Sequence, residues 1–291
     1  MSSVSVGSPR PFIPVLARLY APLEPYAYAV IRFALGAIFV PHGYAKLFGS
    51  GADYVATKIF AVWGLPAPYA WAYGIGALEF FGGILLALGL LTRPVALLFV
   101  VEMMVAAIGV HSHVWAWVRG GAQYPVFLAL FCLFIFVRGG GQHSLDRALL
   151  PGVAWGREKA APLVYACMRV ALALFILPGG YNKLFEGGAA RIAAGNVLKA
   201  GFSPPEFWAW LVGGLEFFGV ILFALGLLTR PIALMLAFEM AVITFRVHAD
   251  AGFFWTAHGY EYSLLMMVMF IAFMIGGGGR HSLDRALGKE F

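Results

Sequence analysis

The chain has 291 residues, enough for about two soluble domains by length. Yet 62% of them are hydrophobic and only 12% charged, where ordinary soluble proteins carry about 25% charged residues. With a mean hydropathy of +0.84 this is an integral membrane protein, which excludes a soluble enzyme and a secreted disulfide scaffold. The net charge of +6 comes from single cations at the ends of apolar runs, without the clustered Lys/Arg and aromatic residues of a nucleic-acid surface.

Residues 1–14 are small, Ser-rich and Pro-broken and lack a charged start followed by an apolar stretch, so no cleaved signal peptide is expected, and residues 1–25 are expected to be a cytoplasmic segment. Four apolar runs follow: Tyr26–Phe48, Tyr69–Leu91, Pro94–His113 and Tyr124–Arg138. A polar linker at 151–162 carries Arg157, Glu158 and Lys159. Four more runs come next: Leu163–Phe185, Phe207–Leu228, Pro231–His248 and Tyr262–Ile275. A spanning helix needs about 17–25 apolar residues, and the first three runs of each set meet that. The fourth runs are slightly short and are expected to borrow flanking residues. Backbone groups in lipid must be satisfied internally, and no run alternates as a barrel strand would, so the runs read as uninterrupted helices.

The two sets are copies. Gly76–Leu97 reads GALEFFGGILLALGLLTRPVAL and Gly213–Leu234 reads GGLEFFGVILFALGLLTRPIAL, identical at 18 of 22 positions. The offset of 137 also maps Arg32 to Arg169, Lys46 to Lys183 and Glu102 to Glu239. An offset of 138 maps Ser144-Leu145-Asp146 to Ser282-Leu283-Asp284. The chain is therefore expected to hold one unit at 26–150 and a second at 163–291. Four helices per unit is an even number, so both units enter the membrane the same way, as parallel repeats. The expected fold is all-α: eight transmembrane helices in two parallel-related four-helix bundles, a covalent pseudo-dimer. Eleven cations fall on the side of the termini and seven on the other, which places both termini in the cytoplasm.

These motifs resemble the DoxX family of small bacterial membrane proteins. The resemblance rests on Arg32-Phe33-Ala34-Leu35-Gly36, Gly43-Tyr44-Ala45-Lys46-Leu47, Leu78-Glu79-Phe80-Phe81-Gly82-Gly83, Gly89-Leu90-Leu91-Thr92-Arg93-Pro94 and Ser144-Leu145-Asp146, and each motif recurs in the second unit, so it covers nearly the whole chain. It implies four-helix membrane bundles in the bacterial inner membrane. It also implies similarity, for some members, to the small subunit of thiosulfate:quinone oxidoreductase, and for others association with soluble redox enzymes. The chain departs from the pattern in being doubled, and in having Gly179 where the first unit has His42.

Charge inside a membrane costs on the order of 2.5–3.5 kcal/mol per group on insertion scales, so it is usually paired or functional. Glu79 and Glu216 share helix stripes with small residues, which let a neighbouring helix approach closely. Each is expected to meet a cation of the unit's first helix: Arg32 or Lys46, and Arg169 or Lys183. A structural ion pair and a ligand- or proton-handling carboxylate both remain open readings. Glu102 and His113 lie eleven residues apart on one helix face, and Glu239, Arg246 and Asp250 repeat such a polar stripe. Haem or metal ligation by the outer histidines lacks any accompanying motif, so no metal site is expected. Cys132 and Cys167 have no counterpart in the other unit and no basic neighbour, which argues against thiol chemistry. Arg93 and Arg230 are expected to meet lipid phosphates. Ser144 and Ser282 are expected to cap short helices.

The candidate ligand- or proton-handling residues are thus Arg32, His42, Lys46, Glu79, Glu102, His113, Arg169, Lys183, Glu216, Glu239, Arg246 and Asp250. Lys46, His42 and His113 offer donors to a quinone head group and Glu102 a proton relay, with no covalent cofactor. The leading expectation is a membrane subunit of a quinone-linked oxidoreductase, partnered by the bilayer and a redox enzyme or respiratory complex. A non-catalytic scaffold comes second. A small-molecule or lipid transporter comes third, weakened by short loops and uninterrupted helices.

Overall fold

The computed structural model describes residues 10–11, 14–149 and 160–290. The linker expected from residue 151 therefore lies outside the described residues as far as residue 159. The described residues are helical apart from turns and a two-residue parallel pairing of Arg10–Pro11 with Lys289–Glu290. Those within Ala29–Glu158 form one compact unit; those within Lys159–Phe291 join the described residues up to Tyr28 in the other.

The main helices are α1 (Pro14–Tyr20), α2 (Ala27–Phe48), α3 (Pro68–Leu88), α4 (Thr92–Val110) and α5 (Gln123–Arg138), then α6 (Ala161–Phe185), α7 (Pro205–Leu225), α8 (Thr229–Val242) and α9 (Glu261–Gly276). α3, α4, α6 and α7 are long and apolar enough to cross a membrane, and α5 and α9 are shorter apolar helices. Phe33, Phe81, Ile108, Leu174, Phe218, Phe238 and Phe245 stand exposed on the helix surfaces, an apolar exterior suited to lipid.

Helix crossing is set by glycine. A methyl group at Gly43 of α2 would lie 2.7 Å from the Gly76 carbonyl oxygen and closer still to the Phe80 backbone of α3. Gly180 of α6 meets the Glu216 backbone of α7 in the same way. Two backbones can touch only where no side chain intervenes. This approach holds Glu79 and Glu216 between helices, as their small-residue stripes imply.

Two local features depart from the sequence reading. The segments between the first and second long helices of each unit are themselves helical, at Gly51–Val55 and Gly188–Ile192. With the π-turns that follow them, Ala56–Phe60 and Ala193–Val197, they bury Ala52 and Ala56 against Ala72, and Ala189 and Ala193 against Ala209. The long helices are also not uninterrupted. π-turns occur at Leu78–Gly82 and Leu215–Gly219, and again at Ala106–Val110 and Ile243–Val247. A π-turn is frequent at functional sites because it re-aims the side chains of one turn. The first pair covers the two Leu-Glu-Phe-Phe-Gly motifs.

Candidate functional site

At one end of the first unit the repeated motifs build a clasp. The turn between α3 and α4 puts Gly89 and Leu91 in the left-handed region, at φ 73° and 50°. Leu91 is poorly suited to that conformation. The Asp146 carboxylate holds it there, accepting from Leu91 N at 2.7 Å and Thr92 N at 3.0 Å. A carboxylate at a helix N-terminus also meets the positive end of the helix dipole. Arg32 reaches the same corner and donates to the carbonyls of Gly140 and of His143, the latter at 2.8 Å. A methyl group on Gly89 would lie 2.6 Å from the Arg32 guanidinium carbon, so glycine serves there twice.

The second unit repeats the arrangement. Asp284 accepts from Leu228 N, Thr229 N and the Thr229 hydroxyl, and Arg169 donates to the carbonyls of Gly278, Ala224 and His281. Ser144 and Ser282 accept from Arg147 N and Arg285 N, the capping expected of them. The role of the Asp in the same motif was not legible, because its partners lie 54–56 residues away.

Arg32 and Lys46 are fourteen residues apart on α2, about 21 Å at 1.5 Å per residue. That depth decides the pairing. Lys46 Nζ donates to both Glu79 carboxylate oxygens, at 2.8 and 2.6 Å. Lys183 donates to Glu216 Oε2. Both carboxylates are buried. Glu102, from α4, faces the Glu79 carboxylate and lies within electrostatic reach of Lys46. Its Oε2 is buried without a hydrogen-bond partner. Glu239 faces Glu216 and Lys183 in the same way, and neither of its carboxylate oxygens has a partner. The site in each unit is thus one lysine and two glutamates from three helices, centred on the π-turn.

His42 is half-buried, one helical turn before Lys46. The equivalent Gly179 is exposed, and a methyl group there would lie 2.8 Å from Glu216 Oε2. Position 42 or 179 therefore borders the ion pair. The remaining candidates are elsewhere. His113 is exposed and lies in the turn beyond the end of α4, eleven residues from Glu102, so the helix face expected to carry both ends before it. Arg246 is exposed, and Asp250 makes only a 3.5 Å contact with Lys199 at the surface. The expected polar stripe therefore does not converge with the cluster. Arg230 is buried rather than set against lipid phosphate. Its guanidinium lies 3.5 Å from the ring centre of Tyr20 on α1, donates to the carbonyls of Met274 and Ile275, and approaches Glu24 at 3.8 Å. Among the described residues no group of three or more His, Cys, Asp or Glu could hold a metal ion.

Just beyond α4, His111 Nδ1 contacts the Gly120 carbonyl oxygen at 2.6 Å. A carbonyl only accepts, so that nitrogen carries the ring proton. Burial holds the imidazole below its ordinary value of 6.5, partly offset by this bond. Its neutral form thus stabilises the loop fully above the unfolded value, and that contribution is lost as pH falls. Thermal stability should fall on acidification below pH 6.5, and His111→Asn should reduce that dependence, as read from unfolding curves between pH 5 and about 8.

The DoxX family model matches this chain twice, over residues 27–112 and 164–249. A Haemophilus influenzae protein is 32% identical over 142 residues, covering 46% of this chain and 97% of its own length. A Bacillus subtilis protein named "Putative oxidoreductase CatD" is 31% identical, covering 45% of this chain and 92% of its own. A Mycobacterium tuberculosis protein named as membrane protein Rv3486 is 31% identical, covering 47% and 90%. No solved structure matches. Each of these relatives is about as long as one half of this chain, and the matched segments hold both lysine–glutamate–glutamate clusters. The chain belongs to the DoxX family and carries the family's unit twice.

Proposed function

We propose that this protein is a membrane subunit of a quinone-linked redox system, with a quinone head group received at the lysine–glutamate–glutamate cluster. The observation that carries this reading is the buried Lys46–Glu79 pair with a second carboxyl, Glu102, turned to it and left with an unpartnered oxygen. Intramembrane ionisable groups of this kind are usually functional. The residues suit the group: Lys46 donates two of its three N–H bonds to Glu79, which leaves one for a quinone carbonyl, and His42 borders the pair. A bound quinone would supply two-electron, two-proton chemistry. The chain's own part is to orient the head group through Lys46 and to hold protons at Glu102 or Glu239. The relative named as an oxidoreductase supports the same reading. In this proposal eight helices span the bacterial inner membrane as two parallel units at 26–150 and 163–291, joined at 151–162. Both termini are cytoplasmic, and a redox enzyme docks there.

Titration of purified protein with a soluble quinone analogue is the test. Wild type should bind, Lys46→Ala should weaken binding at least tenfold, about 1.4 kcal/mol, and Glu102→Gln should weaken it less. No binding to wild type, or equal binding by all three, leaves the chain a scaffold for a redox partner. The π-turns at the Glu motifs favour a second reading, passage of a small solute, since transporters place irregular helix backbone at their sites.

A further inference from the structure

We propose that each unit of the ligand-free protein binds one exchangeable proton on its pair of glutamates, Glu102 being the carrier in the first unit and Glu239 in the second, while Glu79 and Glu216 stay ionised against their lysines. This does not depend on quinone binding.

The argument is one of charge and of hydrogen-bond capacity. Each cluster holds one ammonium and two carboxyl groups, so full ionisation would leave a net negative charge buried between apolar helices. An isolated buried charge of that kind is too costly to persist, and such a group neutralises instead. The lysine identifies which carboxyl stays charged. Lys46 donates to both oxygens of Glu79, and Lys183 donates to Glu216. Neither lysine bonds Glu102 or Glu239 in the structure, and Glu239 is only 7% exposed with both oxygens unpartnered.

An ionised carboxylate has acceptors only, so two facing carboxylates can offer each other no hydrogen bond. A proton on Glu239 turns that opposition into an O–H donor directed at Glu216, and the same holds for Glu102 and Glu79. Among the described residues, His42 borders the Lys46–Glu79 pair in the first unit, and glycine takes its place in the second. Cys132 of α5 lies within electrostatic reach of Glu102, and Tyr262 of α9 within electrostatic reach of Glu216. The same constellation occurs in both units although position 42 is histidine in one and position 179 glycine in the other. The proton site is therefore a property of the lysine and the two glutamates alone.

Infrared spectroscopy of the purified full chain in lipid at neutral pH, without any quinone, measures it through the carbonyl band of protonated carboxylic acids. Glu102→Gln should remove one acid equivalent from that band, Glu239→Gln another, and the double variant both. Lys46→Met should add one equivalent, because Glu79 then loses its counter-charge and takes up a proton; Lys46→Arg should leave the count unchanged. If Lys46→Met does not fold, Lys183→Met makes the same measurement in the second unit. Glutamine variants that leave the band intact, or a lysine-to-methionine variant that adds nothing, would overturn the proposal. Because no quinone is present, failure of the quinone titration leaves these outcomes unaltered.

Discussion

The double variant Glu79→Ala, Glu102→Gln should destabilise the first unit by about 3–5 kcal/mol, the usual cost of stranding a buried charge by removing its partners. Lys46 then loses both carboxyls set against it among the described residues, Glu79 by hydrogen bonds and Glu102 by electrostatic reach. Glu79→Ala alone should cost clearly less, because Glu102 can take over the ammonium. Glu102→Gln alone should cost least, because the Lys46–Glu79 pair survives. The double loss should therefore exceed the sum of the single ones, the signature of residues that share a partner. Unfolding in mild detergent, followed for all three variants, reads this directly. Additive losses would show that the two carboxyls act independently of each other.

Gly43→Ala should cost about 1–3 kcal/mol or more, as overpacking does where nothing flexible can yield. The added methyl would meet the Phe80 backbone and the Gly76 carbonyl oxygen, not a side-chain tip. Relief requires α2 and α3 to separate, and the Lys46–Glu79 alignment goes with them. Gly74→Ala, on the outer side of α3, meets nothing within 4 Å and should be neutral or stabilising by up to about 1 kcal/mol, since alanine is the better helix former. The contrast separates close helix approach from any general dislike of alanine in these helices. Equal melting temperatures for the two variants would remove the close approach from the account. Gly180→Ala and Gly214→Ala repeat the test in the second unit, where Gly180 meets the Glu216 backbone and Gly214 meets nothing.

The helices were legible because lipid leaves the backbone few choices. The apolar run from Tyr124 to Arg138 becomes a helix from Gln123 to Arg138, and the other runs shift by only a few residues. The burial of Glu79 was legible from the glycines on its stripe. The choice between Arg32 and Lys46 was not, because it depends on where α3 crosses α2, and that is fixed by backbone contact at Gly43. The approach of Glu102 to Glu79 brings residues of two helices together, and no spacing within one helix encodes it. His113, Arg246 and Asp250 show the converse. Helical spacing aligns them with the acids, but the helices end at Val110 and Val247, so His113 and Asp250 lie beyond them and all three residues end at the surface. The π-turns left no trace in the hydrophobic pattern, since one extra residue per turn barely alters which positions are apolar. Arg230 was misread because the residues covering it, Tyr20 and Glu24, lie some two hundred positions earlier in the chain.

The clasps at Arg32 and Arg169 also bear on the order in which the chain can be completed during synthesis. Arg32 is among the first residues of its unit to emerge from a ribosome, but its carbonyl partners at Gly140 and His143 are among the last. Until those emerge, the guanidinium lacks the Gly140 and His143 carbonyls and the Leu91 turn has no Asp146 to hold it. The first unit can then close with residues of its own, before the second is made. The second cannot: Arg230 is covered by Tyr20 and Glu24, which must wait through the synthesis of more than two hundred residues for it. The earliest described helix of the chain is therefore one of the last to find its place.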